Sequence, residues 1–555
     1  MSDRIQDILP LAPGQGGMVF HAIGGGAPGD DVIQIVVDMT GTPDLGADRA
    51  VWDALVARHD ALRTAFVWQG QKQPLQVVGR RAALQMVQHD LTAMAGAAQS
   101  AHLSDWLTQD RAQGFDLTRA PLMRVACFAL APDRQRLVVT FHHAILDGWS
   151  IPVLLREWVT LRAGRSLPDA RPARDHVAWA LAQDRAAARD FWRAELAGYV
   201  PPRAALPTPD APPVSRRGDI SLRLDPGQTQ ALTRAARASG VTLATAIQGA
   251  WALFLARSAG ADDVVWGLAR AGRPAALAGA ETRVGMFLTT LPMRAALPAD
   301  QPLSAFLANL QARQTRQAPH EHLPLTDVLA AANQRGGALM QTAVVFENYP
   351  ADPARLGDLP GLTITGVQVF EQPGLGLTLY VIPGDGLTLR LIFDAAVVSH
   401  AAARLVLVDL HALLVLPHDT RLHDIAVQSR ATMLRQAPAP RPPGAARPAL
   451  PALAAIWADV LAIPTPAAAD NFFDLGGHSL LAITLQDRIR RDLGIEVQIA
   501  DLFRHATLGA QSAHLAGLNT PLVSARADDT ALARQTGANR LRQRRAQTMK
   551  DRHHA

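Results

Sequence analysis

The chain has 555 residues, 48% hydrophobic and 19% charged, enough for three or four folding units at ~150 residues each and unlike any fibrous or wholly disordered sequence. Its formal net charge of +5 lies beyond residue 518, where eight Arg or Lys (Arg526, Arg534, Arg540, Arg542, Arg544, Arg545, Lys550, Arg552) face three Asp (Asp528, Asp529, Asp551). The rest is neutral and offers no general surface for nucleic acid. The one cysteine, Cys127, excludes an internal disulfide and a cysteine metal cluster, and no metal site is expected. No apolar run reaches the ~18 residues of a membrane span; the nearest, 405–416, carries Asp409 and His411. The first residues, Met-Ser-Asp-Arg-Ile-Gln-Asp, do not form a signal peptide, so a cytoplasmic protein with no membrane partner is expected.

In chain order, 48–59 has the period of a helix, with Val51, Leu55 and Val56 on one face and Asp48 as a plausible N-cap. Leu-Val-Val-Thr-Phe at 137–141 reads as a buried strand. His142-His143-Ala144-Ile145-Leu146-Asp147-Gly148-Trp149-Ser150 follow it directly. Strand side chains alternate in direction, so one histidine faces a cleft and the other faces packing. Asp147 falls at a turn, Gly148 is free to take an unusual backbone conformation, and a helix is expected over 149–162. Taken alone, such a pair reads as polar residues at a strand end and such an aspartate as a helix cap. A proline-rich break at 206–213, a long apolar helix at 241–258 and a strand at 263–268 suggest two α/β lobes meeting at a cleft.

Residues 436–448, with five prolines, form an extended tether within a linker at 431–448. At ~3.1 Å per residue it spans roughly 40 Å. Beyond it, 449–517 is a compact helical unit. Ala452, Ala455, Ile456, Val460 and Leu461 form one apolar face, and a helix is expected over 479–493. Between them lies Asn471-Phe472-Phe473-Asp474-Leu475-Gly476-Gly477-His478-Ser479-Leu480. An isolated Ser479 here reads as an N-cap. From Leu450 to Leu518 seven acidic residues face four Arg, a charge suited to basic patches on partner enzymes.

The His-His-x-x-x-Asp-Gly string resembles the signature of nonribosomal peptide synthetase condensation domains. Six further stretches match that family in order: 9–21 (Leu-Pro-Leu-Ala-Pro-Gly-Gln-Gly-Gly-Met-Val-Phe-His), 58–66, 174–179, 284–292, 320–325 and 344–350. Phe-Phe-Asp-Leu-Gly-Gly-His-Ser-Leu is similar to the 4′-phosphopantetheine attachment site of peptidyl carrier domains. The resemblance implies an α/β fold of two chloramphenicol-acetyltransferase-like lobes around a central tunnel, with an N-lobe of about 1–175 and a C-lobe of about 176–430. A small four-helix-bundle carrier over 449–517 and a disordered or docking tail over 518–555 follow. It carries over His142, His143, Asp147 and Gly148 as the catalytic stretch, with His143 in the tunnel. Ser479 would bear the cofactor, 4′-phosphopantetheine, in a loop shaped by Asp474, Gly476, Gly477 and His478. Thr289 stands where the family usually has Asn, and Gly14-Gln15-Gly16 is a variant opening.

The implied reaction is attack of an amine on a thioester. An α-amino group with a pKa of ~7.7–8.0 is already partly neutral near pH 7. His143 therefore either takes the proton of the tetrahedral adduct or holds the amine, and both roles stay open. Asp147 is expected to lock the turn through an ion pair with a buried arginine, Arg63 first and Arg283 second. No stretch resembles an adenylation domain, so the expected partners are a stand-alone adenylation enzyme loading Ser479 in trans, an upstream acyl or peptidyl carrier protein, a phosphopantetheinyl transferase, and a downstream synthetase or tailoring enzyme at the tail. The alternatives are condensation with a free amine or hydroxyl acceptor, and a non-catalytic carrier platform.

Overall fold

The computed structural model describes residues 4–23, 29–41, 45–69, 71, 73–202, 217–332, 339–347, 361–371, 375–428, 450–461, 463–472, 475, 479–497, 501–502, 505 and 507–518. The proline-rich break at 206–213, the linker at 431–448, the tail beyond 518, and Asp474, Gly476, Gly477 and His478 lie outside them. Two compact units are present, Met1–Arg441 and Pro442–Ala555.

The larger unit contains three sheets. Strands β1 (Ile5–Pro10), β3 (Thr64–Val67) and β4 (Leu75–Gly79) form a small one in the order β1-β4-β3. A five-stranded sheet is built from β2 (Val32–Gly41), β5 (Gln85–Asp90), β6 (Met123–Ala131), β7 (Arg134–His142) and β12 (Leu362–Phe370), in the order β12-β2-β7-β6-β5. The six-stranded sheet has β8 (Arg217–Leu224), β9 (Asp263–Arg270), β10 (Thr289–Ala296), β11 (Thr342–Phe346), β13 (Leu377–Ile382) and β14 (Leu387–Asp394), in the order β10-β9-β11-β13-β14-β8. The edge strand β12 comes from the second half of the chain but pairs antiparallel with β2 of the first half, so the two halves are interleaved.

Local chemistry accounts for these elements. The expected strand at 137–141 is the centre of β7, buried because β2 and β6 flank it. The apolar helix forms as Leu243–Ala259: the Thr242 hydroxyl accepts the Thr245 amide at 3.0 Å, and Gly260 ends it at φ +63°. Its faces are apolar almost all round because Trp251, Leu253, Phe254 and Ala256 lie in the core of the second sheet. Each such large side chain contributes about 1.5–3 kcal/mol when withdrawn from water. No single helix among the described residues is long and apolar enough to cross a membrane; the apolar pair Pro226–Ala238 and Leu243–Ala259 bends by 92°.

The helix expected at 48–59 differs from the sequence expectation. It runs over Leu45–Arg58, so Asp48 lies within its first turn and is not the N-cap. Asp48 is buried and bonds Arg162 at 2.8 Å, which ties this helix to Ser150–Arg162. A partner 114 residues away in the chain is invisible to a local pattern. Cys127 is buried in β6, and burial pushes its thiol up to about 12, which keeps it protonated and inert.

The smaller unit packs the helices Leu450–Leu461, Ser479–Arg488 and Leu508–Leu518 around Leu453, Trp457, Phe472, Leu485 and Leu515. Trp457 donates its indole N–H to Gln511 Oε1 at 3.0 Å, so the one polar atom of the largest core residue is satisfied. The helix expected over 479–493 is α-helical to Arg488 and closes with a single π turn, Ile489–Leu493. Gly494, at φ +67°, ends it.

Candidate functional site

β7 delivers the two histidines into different surroundings. His142 pairs with Val32 of β2 and is 3% exposed. Its Nδ1 accepts the Ala144 amide at 3.1 Å, so the neutral ring carries its proton on Nε2. Burial drives its pKa down to about 4, so the ring stays uncharged at neutral pH. His143 is half-buried. Its Nδ1–H donates to the Leu146 carbonyl at 2.7 Å, because a carbonyl only accepts, which leaves Nε2 with its lone pair. The neighbours thus hold opposite tautomers. One is part of the packing and the other presents a base.

The turn after them is closed by Asp147. Its Oδ1 accepts the Ser150 amide at 2.9 Å and the Ser150 hydroxyl at 2.6 Å, and its Oδ2 accepts the Phe287 amide at 3.1 Å. Arg273 Nη2 reaches both carboxylate oxygens at 2.9 and 3.1 Å. The side chains of this ion pair are 2% and 5% exposed. A carboxylate with this many donors has no capacity left for proton transfer, so Asp147 is a fastener between the turn and the 283–287 segment.

The expected partners of Asp147 are therefore corrected. Arg63 is buried elsewhere, donating to the carbonyls of Val56 and Gly79 and to Gln6 Oε1, where it joins the small sheet to the end of the helix Leu45–Arg58. Arg283 pairs with Asp175 at 2.9 Å and donates to the Pro172 carbonyl. It supports the site only through its own carbonyl, which accepts Arg273 Nη1 at 2.9 Å. Arg273 was the residue missed. The local signal was Gly272-Arg273-Pro274 just beyond the strand at 263–268, a turn that presents an arginine. Gly272 has φ +60°, and a Cβ there would fall 1.7 Å from the Phe287 carbonyl oxygen, so only glycine lets the two segments meet. Gly148 is half-buried and does not adopt positive φ. The Asp147 side chain closes the turn, so no left-handed residue is needed there.

Other motif residues serve the same frame. Buried Gln15 accepts the Ala12 amide and donates to the Ala144 carbonyl at 2.9 Å, tying the helix Gln15–Ile23 to the residue after His143. His59 Nε2 lies 2.6 Å from Glu157 Oε2, and Arg58 joins the same carboxylate. Thr289 is 4% exposed at the start of β10, and its Oγ1 has no hydrogen-bond partner among the described residues. His176 of the 174–179 motif is also buried, with its pKa lowered by burial to about 4.

His142 and His176 have folded pKa values below the ordinary 6.5, so the unfolded chain binds protons that the folded chain refuses. Their contribution is complete above pH 6.5 and is lost as pH falls toward 4. Each accounts for about 3 kcal/mol over that window. Urea melts between pH 7 and pH 4 are expected to show this loss, and His142→Gln is expected to flatten the curve.

In the smaller unit, Ser479 is the first residue of its helix. A helix start is the positive end of the helix dipole and suits an anionic phosphodiester, and serine is the residue type that accepts one, so the position fits a phosphopantetheine arm. Among the described residues no group of three or more His, Cys, Asp or Glu could hold a metal ion.

The chain thus joins a three-sheet α/β unit, with a His-His turn locked by a buried ion pair, to a helical unit with a serine at the start of a helix. Residues 5–397 match the condensation domain family and residues 451–515 the phosphopantetheine attachment site family. The chain is a nonribosomal peptide synthetase condensation domain followed by a carrier domain. It is 36% identical to one of the linear gramicidin synthase subunits of Brevibacillus parabrevis over 404 residues, 70% of this chain and 5% of that relative. Surfactin synthase subunit 3 of Bacillus subtilis (strain 168) is 31% identical over 411 residues, 72% of this chain and 32% of that relative. The chain thus spans a small part of these relatives. Among solved structures, the first condensation domain of the calcium-dependent antibiotic synthetase superposes with a TM-score of 0.62 at 20% identity, covering 76% of this chain and 99% of that one. The condensation domain of Monacolin K polyketide synthase gives 0.64 at 19% identity, covering 76% and 100%. Condensation domains of this kind catalyse peptide bond formation.

Proposed function

We propose that the chain joins an acyl or peptidyl thioester, delivered on an upstream carrier protein, to an amino acid carried on Ser479. The observation that carries this reading is the His143 ring, whose Nδ1–H is committed to Leu146 and whose Nε2 is left to take a proton. The arm on Ser479 supplies a thiol that holds the acceptor amino acid as a thioester. The acceptor amine attacks the donor carbonyl, the C–N bond forms, and the nitrogen becomes cationic. His143 Nε2 takes that proton; the C–S bond then breaks, and the departing thiolate is protonated in turn. Opposite tautomers on adjacent residues keep His142 out of this exchange.

The two matched families are separated only by residues between 397 and 451. That interval has no room for an activating domain, which supports loading of Ser479 by an adenylation domain that lies outside it. A phosphopantetheinyl transferase installs the arm, and the carrier's acidic composition suits basic patches on these partners. A cytoplasmic setting, where coenzyme A and aminoacyl adenylates are made, suits the reaction. In the 518–555 tail, the excess of Arg and Lys suits docking to an acidic partner, a downstream synthetase or tailoring enzyme.

Intact-protein mass spectrometry tests the acceptor role. Incubation with coenzyme A and a promiscuous phosphopantetheinyl transferase is expected to add one phosphopantetheine, and Ser479→Ala is expected to add none. Folded protein that gains nothing would remove Ser479 as the acceptor site.

A further inference from the structure

The His-His turn and the residues that lock it come from both large sheets. His143 and Asp147 follow β7 of the five-stranded sheet, whereas Arg273 follows β9 and Phe287 precedes β10 of the six-stranded one. The Asp147–Arg273 ion pair therefore crosses the seam between the sheets, and its geometry requires a fixed angle there.

A second tie crosses the same seam. β2 runs antiparallel to both β7 and β12, so those two strands finish at the same end of their sheet, in His142 and Phe370. Phe370 is opposite Gln34, and Gln34 is opposite Thr140, three residues before His143. Two strand spacings put Phe370 about 10 Å from Thr140. Beyond Phe370 the chain joins the other sheet, entering β13 at Leu377.

The Phe370 ring is held by two cations, one from each side of this seam. The guanidinium carbon of Arg111, on the helix Gly96–Gln113, lies 3.8 Å from the ring centroid, and that of Arg217, the first residue of β8, lies 4.4 Å from it. The face of an aromatic ring is negative, so it attracts both and offsets their mutual repulsion. Both arms are fixed. Arg111 Nη1 donates to Gln34 Oε1 at 2.6 Å, and buried Gln34 donates in turn to Asp110, which also accepts the Thr140 hydroxyl at 2.6 Å. Arg217 donates to the Glu371 carbonyl at 2.9 Å and to Asp219 at 2.7 Å. Asp219 also takes Arg390 of β14 at 2.6 Å, which anchors this arm in the six-stranded sheet.

We propose that Phe370, held by Arg111 and Arg217, is a clamp that sets the angle between the two sheets at the end that carries His143. The clamp and the Asp147–Arg273 ion pair are two fasteners on one seam. Weakening the clamp populates a more open arrangement of the sheets.

Spin labels on Ala54→Cys and Ala412→Cys in the full chain report that angle. Both alanines are exposed, one on the helix Leu45–Arg58 over the five-stranded sheet and the other on the helix His400–Leu414 over the six-stranded one. Cys127 is buried and takes no label. Double electron–electron resonance is expected to give one dominant distance for the parent. Phe370→Leu keeps apolar bulk and removes the ring face. In that variant the share of molecules at longer distance is expected to rise roughly 2- to 30-fold, the equilibrium factor of one cation–π contact. Phe370→Tyr keeps the face and is expected to keep the parent distribution. Arg111→Met removes one cation, leaves the ring, and is expected to move the distribution in the same direction as Phe370→Leu; it carries the test where Phe370→Leu does not fold. A parent-like distribution in folded Phe370→Leu or in Arg111→Met would overturn the proposal. So would a Phe370→Tyr distribution as broad as that of Phe370→Leu, because the ring face would then not be what holds the sheets. The distance is read without substrate, so its outcome is independent of the reaction assigned to His143.

Discussion

Asp147→Ala and Arg273→Ala are each expected to destabilise the larger unit by about 3–5 kcal/mol, because each leaves a buried charge without its partner. Both side chains are nearly inaccessible to water. Asp147 also accepts two amides, from Ser150 and Phe287, that would lose their acceptor with it. Asp147→Ala is therefore expected to be the more damaging of the two. The loss of activity in either variant is expected to track the fraction unfolded in urea melts. A double exchange, Asp147→Leu with Arg273→Met, is expected to cost less than the sum of the single exchanges, since neither charge is stranded. Single variants that melt like the parent would show that the ion pair does not lock the turn.

His143→Ala is expected to behave in the opposite way. The ring is half-buried and its hydrogen bond to Leu146 is local, so the melting curve is expected to change little. Proton transfer by a positioned side chain is worth about 10²–10⁴ in rate, and the condensation rate is expected to fall by that factor. His142→Gln supplies the contrast, since it perturbs packing and the pH dependence of stability without removing the base. The pair of variants separates chemistry from architecture across one peptide bond. A His143→Ala protein that condenses at the parent rate would remove the histidine from the reaction.

The parts of this molecule that were legible in the sequence are those where a local pattern coincides with a tertiary demand. The strand at 137–141 is apolar and β-branched because β2 and β6 enclose it, and the apolar run expected as a helix at 241–258 forms Leu243–Ala259 because it is buried in the core. The His-His turn and the attachment serine were visible as strings of neighbouring residues. What escaped was pairing over long separations. Arg273 reaches Asp147 across 126 residues, and charge and expected burial alone could not rank it above Arg63 or Arg283. The pairing of β12 with β2 joins residues more than 300 apart, and no periodicity encodes it. Asp48 misled for the same reason: an acidic residue near a helix start reads as a cap, and here its carboxylate answers Arg162 on another helix.

The measurement closest to the central claim is a single-turnover reaction in which the full chain, its Ser479 arm loaded with one amino acid, meets a panel of N-acetyl-aminoacyl thioesters of N-acetylcysteamine as donors. Intact-protein mass spectrometry reads what remains attached. The account predicts a dipeptidyl mass on Ser479 in the parent, and only the starting amino acid on His143→Ala that has been loaded and folded equally well. Equal dipeptidyl product on both proteins, or a product released to solution with Ser479 still carrying its amino acid, would contradict it.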